Sequence, residues 1–184
     1  MLGYRLEGAR MQVSCRRHET DGAGWLELSH DGWARTFGLT HERRLYLDRD
    51  IDELRGEDQL VEAEPGALRP QKRPVFLIVR FQLHPEVKAS LALDHQSILL
   101  QPRGAKGSGW WLRNDAPDVS LEPAVRLVDG RPHHTSQIVL RCLFGRSGTA
   151  RIRWKLSHAD RALIPPPELH KSETARPDSG KKAG

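Results

Sequence analysis

Histidines, arginines and aromatic residues occur together at the ends of segments whose side chains alternate between apolar and polar. The first such group is the run His30-Asp31-Gly32-Trp33, in which an imidazole lies close to an indole. An aromatic ring can stack on a sugar ring while an imidazole donates or accepts a hydrogen bond, so His30 and Trp33 indicate a sugar subsite. The structural alternative is a two-residue type I′ hairpin turn, since Asp-Gly supplies the positive φ angles that this turn requires. That alternative explains Asp31 and Gly32 but leaves His30 and Trp33 without a role.

The segment that follows carries an arginine on each face of a predicted strand. Period-two alternation puts His41 and Arg43 on one face and Arg44 on the other. At least one guanidinium must therefore point toward the interior, where an unpaired charge is costly, and Glu57-Asp58 supplies candidate carboxylate partners. A structural ion pair is the favoured interpretation. The alternative is that Arg43 or Arg44 binds a substrate carboxylate through two parallel hydrogen bonds, which lysine cannot provide.

Three further histidines lie at positions that could suit a binding or metal-ligating role. His84 precedes Pro85, which cannot donate to a strand ladder, so we expect His84 at a sheet rim, either in a binding site or simply hydrogen-bonded there. The adjacent pair His133-His134 can hold one metal ion together only from a loop, and residues 129–132 predict such a loop. A third ligand at interpretable spacing is missing, so no metal site is assigned.

Composition restricts the classes of partner. The 184 residues suffice for one domain with a core, although only 38% are hydrophobic. The net charge of +5 favours anionic partners such as acidic polysaccharide, nucleic acid or a membrane surface. Neither a block of five like charges nor the signature of an RNA-binding or zinc-finger module occurs, so nucleic acid is not a predicted partner. A membrane is not predicted either, because no segment approaches the roughly 18 apolar residues of a membrane span.

Several reaction classes lack their motifs. The chain has no phosphate-binding glycine-rich loop before a helix, no Gly-x-Ser-x-Gly elbow and no His-Glu-x-x-His pair, which disfavours nucleotide chemistry, serine hydrolysis and zinc proteolysis. Nothing selects a carboxylate pair for glycoside hydrolysis. The two cysteines, Cys15 and Cys142, are too few for a disulfide framework, and we expect both as buried free thiols.

The elements that must position these side chains are predominantly strands. Alternation and turn residues predict strands at residues 11–17, 24–29, 34–39, 41–47, 58–62, 75–83, 87–91, 97–101, 109–113, 119–121, 124–128, 137–144 and 149–156. Roughly a dozen short strands at this spacing predict an all-β fold, an antiparallel β-sandwich. Residues 75–83 are expected to form a central strand. Residues 149–156 should expose Arg151, Arg153 and Lys155 on a wet, basic face.

The chain divides into a predicted sandwich over residues 1–158 and a disordered tail over residues 159–184. The tail contains three consecutive prolines followed by charged and small residues, which cannot bury enough apolar surface to offset the entropy of ordering. Residues 1–12 carry no signal that would begin a fold, so we expect an N-terminal truncation. No signal peptide is recognisable, which predicts a cytoplasmic chain if the sequence is complete.

Taken in order, these segments resemble the heparinase II/III-like family of polysaccharide lyases, in its C-terminal β-sandwich region. The resemblance spans roughly residues 10–157 and rests on the following segments: residues 24–33, 41–47, 54–60, 81–85, 109–111, 120–122, 136–140 and 153–156. It implies a cleft between this sandwich and an N-terminal helical toroid, in which an acidic polysaccharide is cleaved by β-elimination. It also implies a location in the cell envelope or periplasm of a bacterium.

The resemblance leaves the catalytic machinery open. The toroid and early sandwich strands, which in the family hold most catalytic residues and a structural zinc, have no counterpart upstream of Met1, so no cofactor and no catalytic residue is assigned. The substrate-binding candidates are His30, Trp33, His41, Arg43, Arg44 and His84. We expect weak or no cleavage by the isolated chain, whose missing partner would be the toroid. A non-catalytic carbohydrate-binding module or a structural sandwich is the alternative.

Overall fold

The computed structural model describes residues 11–104, 109–145 and 148–160, which form eleven strands and one short helix. In chain order the first elements are β1 (Val13–Glu19), β2 (Ala23–His30), α1 (Ala34–Phe37), β3 (Leu39–Asp48), β4 (Glu53–Glu62) and β5 (Phe76–Gln82). The remaining elements are β6 (Val87–Leu91), β7 (Ser97–Pro102), β8 (Trp110–Asn114), β9 (Asp118–Val128), β10 (Arg131–Leu143) and β11 (Thr149–His158). In these ranges no helix is long and apolar enough to cross a membrane.

The strands form two antiparallel sheets, which confirms the predicted all-β sandwich. The larger sheet has the order β1-β2-β3-β4-β11-β8-β7-β6, and the smaller sheet has the order β5-β10-β9. The smaller sheet packs mainly over β4, β6 and β11, so β1 and β2 extend beyond it. The inner face of the larger sheet is therefore only partly covered.

The core lies between the two sheets and is built from every second residue of the central strands. The largest fully buried apolar side chains are Leu39, Ile98, Ile138, Val139, Leu140 and Ile152. Val139 is the exception to the alternation, because it faces outward from β10. An ion-pair network of Arg80, Glu122 and Arg141 on the same face of the smaller sheet accounts for its burial.

The outward face of β11 is polar, as the alternation predicts. Arg151 and Arg153 are exposed and Lys155 is half-buried, whereas Ile152 and Trp154 are buried between the sheets. Large charged side chains thus cover the water-facing side of the larger sheet. The wet, basic face is confirmed.

Two strand predictions were wrong in their environment or type. The strand predicted to be central is β5, which is an edge strand of the smaller sheet. The prediction was wrong because the outward residues Phe76 and Ile78 are apolar although they are exposed, and so they imitate burial on both faces. Residues 34–37, predicted as strand, form α1 instead. Gly38 ends that helix in a left-handed conformation with φ of 74°, and its amide donates to the carbonyl of Ala34.

Other boundaries also differ from the predictions. The strands predicted at 119–121 and 124–128 are one strand, β9, which runs through Pro123. A proline is tolerated there because β9 is the outer strand of its sheet, where a missing amide need not break a ladder. Asp31-Gly32 does not form a hairpin turn, since neither residue has a positive φ and the chain passes into α1.

The two cysteines differ in their exposure. Cys142 is half-buried against the core, as expected for a small apolar residue, whereas Cys15 is exposed on β1 and its predicted burial was wrong. The cause is the position of β1 beyond the smaller sheet. The predicted tail lies outside the described residues from residue 161 onward.

Candidate functional site

A cavity of about 440 Å³ opens where the edge strand β5 meets the inner face of the larger sheet. One wall is formed by β5, and the opposite wall by inward side chains of β2, β3 and β4. The cavity lies at the boundary between the covered and the uncovered part of that face. It brings together four sequence-predicted candidates, namely His30, Trp33, His41 and Arg43.

A continuous hydrogen-bonded chain crosses one wall of this cavity. His30 and His41 are directly opposite each other on β2 and β3, with His30 Nε2 3.2 Å from His41 Nδ1. His41 Nε2 lies 2.9 Å from Asp58 Oδ1. The amide of Gly32 donates to His30 Nδ1 at 3.2 Å. The chain therefore runs from a backbone amide at the cavity to a carboxylate in the core.

The chain specifies where the protons are when both imidazoles are neutral. Asp58 as a carboxylate can only accept, so Nε2 of His41 carries a hydrogen and Nδ1 of His41 is an acceptor. His30 then donates from Nε2, and its Nδ1 accepts the amide of Gly32. Burial and the neighbouring His41 lower the pKa of His30, which favours this neutral state. His30 Nδ1 is thus the basic end of the chain.

Asp58 is fully buried and is the acceptor on which the wall depends. Besides His41, it accepts hydrogen bonds from Arg43 Nε at 2.7 Å and from Trp154 Nε1 at 3.0 Å. Burial alone would raise the pKa of Asp58, but these three donors outweigh it and hold the pKa below its usual value. The buried carboxylate is therefore ionised and fixes the orientation of both His41 and Arg43.

Arg43 has a guanidinium that is only partly used. The bond to Asp58 involves Nε, and within the described ranges the two terminal nitrogens of Arg43 have no ion-pair partner. Its side chain is 35% exposed at the cavity. Such a guanidinium is already oriented by a buried carboxylate and can still bind a second carboxylate through its terminal nitrogens.

An aromatic wall lies beside the histidines. Trp33 is 49% exposed, and its ring centroid is 6.5 Å from that of His30 and 6.0 Å from that of Phe37. Phe37 lies in α1 and Trp33 is the residue before it, so the helix that replaces the predicted strand supplies the aromatic surface. The cavity therefore combines a cation, a neutral imidazole and an exposed indole.

Two candidates lie elsewhere. Arg44 points to the opposite face of the larger sheet, where it pairs with Glu57 at 3.2 Å. His84 follows the end of β5, does not line the cavity, and accepts the amide of Glu86 at 3.3 Å. The pairing of Arg43 with Asp58 and of Arg44 with Glu57 confirms the predicted ion-pair partners.

The metal interpretation of His133-His134 fails on geometry. The predicted loop is only the two-residue turn Asp129-Gly130, whose positive φ angles of 49° and 76° are those of a tight hairpin. Both histidines lie within β10, and so they point to opposite faces of the smaller sheet. In the part of the chain that the structure describes, no three His, Cys, Asp or Glu side chains are grouped to hold a metal ion.

Sequence reasoning missed two contributors to the site. Trp154 was predicted only as an inward core residue, and Phe37 as part of a strand. Asp58 was predicted as an ion-pair partner, and a further signal marks it as inward, since alternation in β4 places it between the inward residues Gly56 and Leu60. A carboxylate at an inward position requires several donors around it.

Comparison with known proteins agrees with this architecture. Residues 3–155 match the family model described as heparinase II/III-like, C-terminal. FtsZ-localized protein C of Caulobacter vibrioides is 44% identical over 161 residues, which is 86% of this chain and 27% of that protein. The chain thus spans about a quarter of the length of this curated relative.

Solved structures of heparinase III share the fold. The heparinase III BT4657 gene product superposes with a TM-score of 0.61 at 8% identity, covering 79% of this chain and 21% of that chain. A second heparinase III has a TM-score of 0.57 at 14% identity with the same coverage. At these identities the likeness concerns the fold alone.

Proposed function

Because the chain belongs to the family of heparinase II/III-like C-terminal domains, we propose that it is the sandwich part of a polysaccharide lyase-like protein. Its substrate would be an acidic, uronate-containing polysaccharide, cleaved by β-elimination. The observation that supports this most is that Arg43 and His30 lie in one cavity. Arg43 bonds Asp58 through Nε only, and His30 is a neutral imidazole. The two groups have the charges that this reaction requires.

The reaction removes a proton from the carbon next to the uronate carboxylate. The electron pair of that C–H bond forms a C=C bond, and the C–O bond to the neighbouring sugar breaks, its oxygen taking a proton from a general acid. Negative charge accumulates on the carboxylate in the transition state, so a cation must neutralise it. A positioned base contributes about 10²- to 10⁴-fold to such a step.

In this proposal the side chains of the cavity have separate roles. The terminal nitrogens of Arg43 bind the carboxylate, and Trp33 stacks on a sugar ring. His30 Nδ1 takes the proton once substrate displaces the long, weak bond from Gly32. His41 and Asp58 are positioning residues. His41 is hydrogen-bonded to His30, and Asp58 is hydrogen-bonded to both His41 and Arg43.

The cavity supplies only one side of a complete site. A cover over the open side of the cavity and the general acid would come from a helical toroid domain, which the family resemblance implies and which the isolated chain would need for full activity. The relatives are consistent with such an arrangement, since this chain corresponds to 21% of each heparinase III chain.

The test is cleavage of heparan-type and alginate-type polymers, followed by the absorbance of the unsaturated product. We expect turnover by the chain joined to its toroid, and a loss of about 10²-fold or more in His30→Gln. Arg43→Gln should lose activity, whereas Arg44→Gln, the matched change on the opposite face, should retain it. Absence of unsaturated product from any uronate polymer with the joined protein would reject the lyase proposal. Robust turnover by the isolated chain would reject the requirement for a toroid.

A second candidate function is supported by a different observation. The relative at 44% identity is named as a protein that localises with FtsZ. A non-catalytic sandwich that binds sugar and localises with FtsZ would use Trp33 and Arg43 for binding alone. A fluorescently labelled chain would then co-localise with FtsZ in cells, and this localisation would persist in His30→Gln.

A further inference from the structure

The outer face of the larger sheet, opposite the cavity described above, carries a second depression of about 620 Å³. This outer groove lies between two rows of outward side chains. The first row consists of Trp25, Tyr46, Arg55, Lys155 and Arg113, and the second row consists of Glu27, Arg44, Glu57 and Arg153. Within each row the residues face one another on neighbouring strands. The floor between the two rows is backbone, because the side chain of Trp154 points toward the core and Gly56 has no side chain.

The groove has the length of a short polymer segment. It crosses β2, β3, β4, β11 and β8, five neighbouring strands of a single sheet. Strands about 4.8 Å apart give it a length of roughly 19 Å. Because all of its walls belong to one hydrogen-bonded sheet, the groove exists without rearrangement of loops.

One end of the groove is an aromatic shelf. Trp25 is 38% exposed, and its ring centroid lies 5.1 Å from that of Tyr46. The guanidinium of Arg55 lies 5.5 Å from the centre of the Tyr46 ring. Exposed rings of this kind bind the apolar face of a flat or ring-shaped ligand, and the adjacent cation favours a ligand that also carries negative charge.

The cations along the groove are held in pairs by carboxylates. Glu57 lies between Arg44 at 3.2 Å and Arg153 at 3.0 Å, each guanidinium bonding a different carboxylate oxygen. Glu53 in the same way lies between Arg55 at 2.6 Å and Lys155 at 3.1 Å. Each group of three carries a net charge of +1, and its side chains are already ordered. Both walls therefore present positioned positive charge to a ligand.

Arg113 extends this pattern at the far end. It packs against Trp111, with the guanidinium 5.4 Å from the ring centre, and forms no ion pair within 4.0 Å in the described part of the chain. The groove thus runs from an aromatic shelf on β2 and β3 to a cation on β8. Two carboxylates of the groove, Glu27 on the opposite wall and Asp115 just after β8, form no ion pair within 4.0 Å in the described ranges, so the ligand's negative charge must lie away from both.

We propose that the outer groove is a second binding surface for the acidic polysaccharide, separate from the cavity at His30 and Arg43. The inference rests on the proposed function for the class of polymer and adds to it a place that is remote from the chemistry. Stacking on Trp25 and Tyr46 would hold one sugar ring. Carboxylates or sulfates of the following units would bind Arg55, Arg153 and Arg113. A polymer bound here would be retained by the protein while another stretch of it reaches the cavity.

The experiment measures binding rather than cleavage, so failure of the groove can be distinguished from failure of the lyase proposal. The whole chain is titrated by isothermal calorimetry with a short alginate-type or heparan-type oligosaccharide. We expect Trp25→Ala and Arg55→Gln each to weaken binding by about tenfold or more. Arg126→Gln, which removes the same charge from the smaller sheet, should leave this binding unchanged. Affinity should fall as salt is raised, since the contacts are exposed.

Thermal unfolding of each variant shows whether it is folded, and Tyr46→Phe provides a second change on the shelf that keeps the ring. Binding that survives Trp25→Ala and Arg55→Gln but is lost in Arg43→Gln overturns the outer groove and leaves the lyase proposal intact. Failure of the wild-type chain to bind either oligosaccharide overturns the groove as well. So does equal binding of neutral dextran. Binding of a polyglutamate peptide in place of the sugars would assign the groove to an acidic protein instead.

Discussion

The indole of Trp154 donates a hydrogen bond of 3.0 Å to the carboxylate of Asp58, although the two residues are 96 positions apart. They belong to adjacent strands, where Trp154 is directly opposite Gly56 and Asp58 is opposite Ile152. The indole can lie across Gly56 and reach Asp58 because no side chain stands between them. One buried carboxylate therefore connects β11 to His41 and Arg43, two of the candidates in the cavity.

We expect Asp58→Asn to destabilise the fold substantially. The amide keeps the size of the carboxylate but loses its charge and one acceptor oxygen, which leaves Arg43 without its counter-ion and a donor without a partner. Losses of this kind cost about 2–4 kcal/mol. Urea unfolding followed by tryptophan fluorescence measures the change.

The matched control is Glu57→Gln, the neighbouring residue on the exposed face. Its ion pairs with Arg44 and Arg153 are in contact with water, so the free energy of unfolding should change by less than about 1 kcal/mol. Equal effects of the two changes would show that Asp58 does not organise the core as described.

A methyl group at Gly56 should disturb the same contact sterically. A Cβ atom there would lie 2.1 Å from the Trp154 ring, which must then move and lose its bond to Asp58. Overpacking of this kind costs about 1–3 kcal/mol, to which the lost hydrogen bond adds. Gly24→Ala is the control, because its nearest neighbour would be at 3.6 Å, and it should be close to neutral. Thermal unfolding of both variants makes the comparison, and a stable Gly56→Ala variant with unshifted tryptophan fluorescence would contradict it.

The pH dependence of stability should have two limbs. His30 has a pKa below its usual value of about 6.5, chiefly through burial, so the unfolded chain takes up a proton more readily than the folded chain. Stability therefore falls as the pH decreases below about 6.5. Asp58 also has a pKa below its usual value, and its contribution is lost at lower pH, below about 4.

Urea midpoints measured between neutral and acid pH in wild type and His30→Gln separate the two limbs. The substitution should remove the upper limb and leave the lower one, because it changes His30 but not the donors to Asp58. A wild-type profile that is flat until the pH is near 4 would show that His30 has no shifted pKa.

The sequence predicts much of the arrangement on the inner face and little of what joins it across the chain. Alternation alone places His41 and Arg43 on the same face, since a strand has a fixed period of two. The need of an inward arginine for a carboxylate then makes Glu57-Asp58 the candidate partner. The bond from Trp154 depends on the pairing of β4 with β11, which no local pattern specifies. The register of distant strands is set by packing of the whole sandwich.

The same reasoning explains two errors. Residues 34–39 alternate well enough to predict a strand, but Gly38 adopts a positive φ and ends a helical turn. The added Cβ of any other residue there would meet the carbonyl oxygen of Ala67. The edge strand β5 was predicted as central because Phe76 and Ile78 are apolar, and apolarity alone does not report how many neighbours a strand has.

The two faces of the smaller sheet should respond differently to loss of a side chain. Ile138 on β10 is fully buried and is opposite Phe81, whereas Ile78 on β5 is 44% exposed on the outward face. Ile138→Ala leaves a cavity between the sheets and should cost about 2–5 kcal/mol, but Ile78→Ala should cost less than about 1 kcal/mol because little apolar surface is removed from a packed environment. Chemical unfolding of both variants measures the difference. Because β5 forms one wall of the candidate site and pairs with β10, an equal cost would mean that the smaller sheet does not cover the core with the face assigned here, and the cavity at His30 and Arg43 would lose that wall.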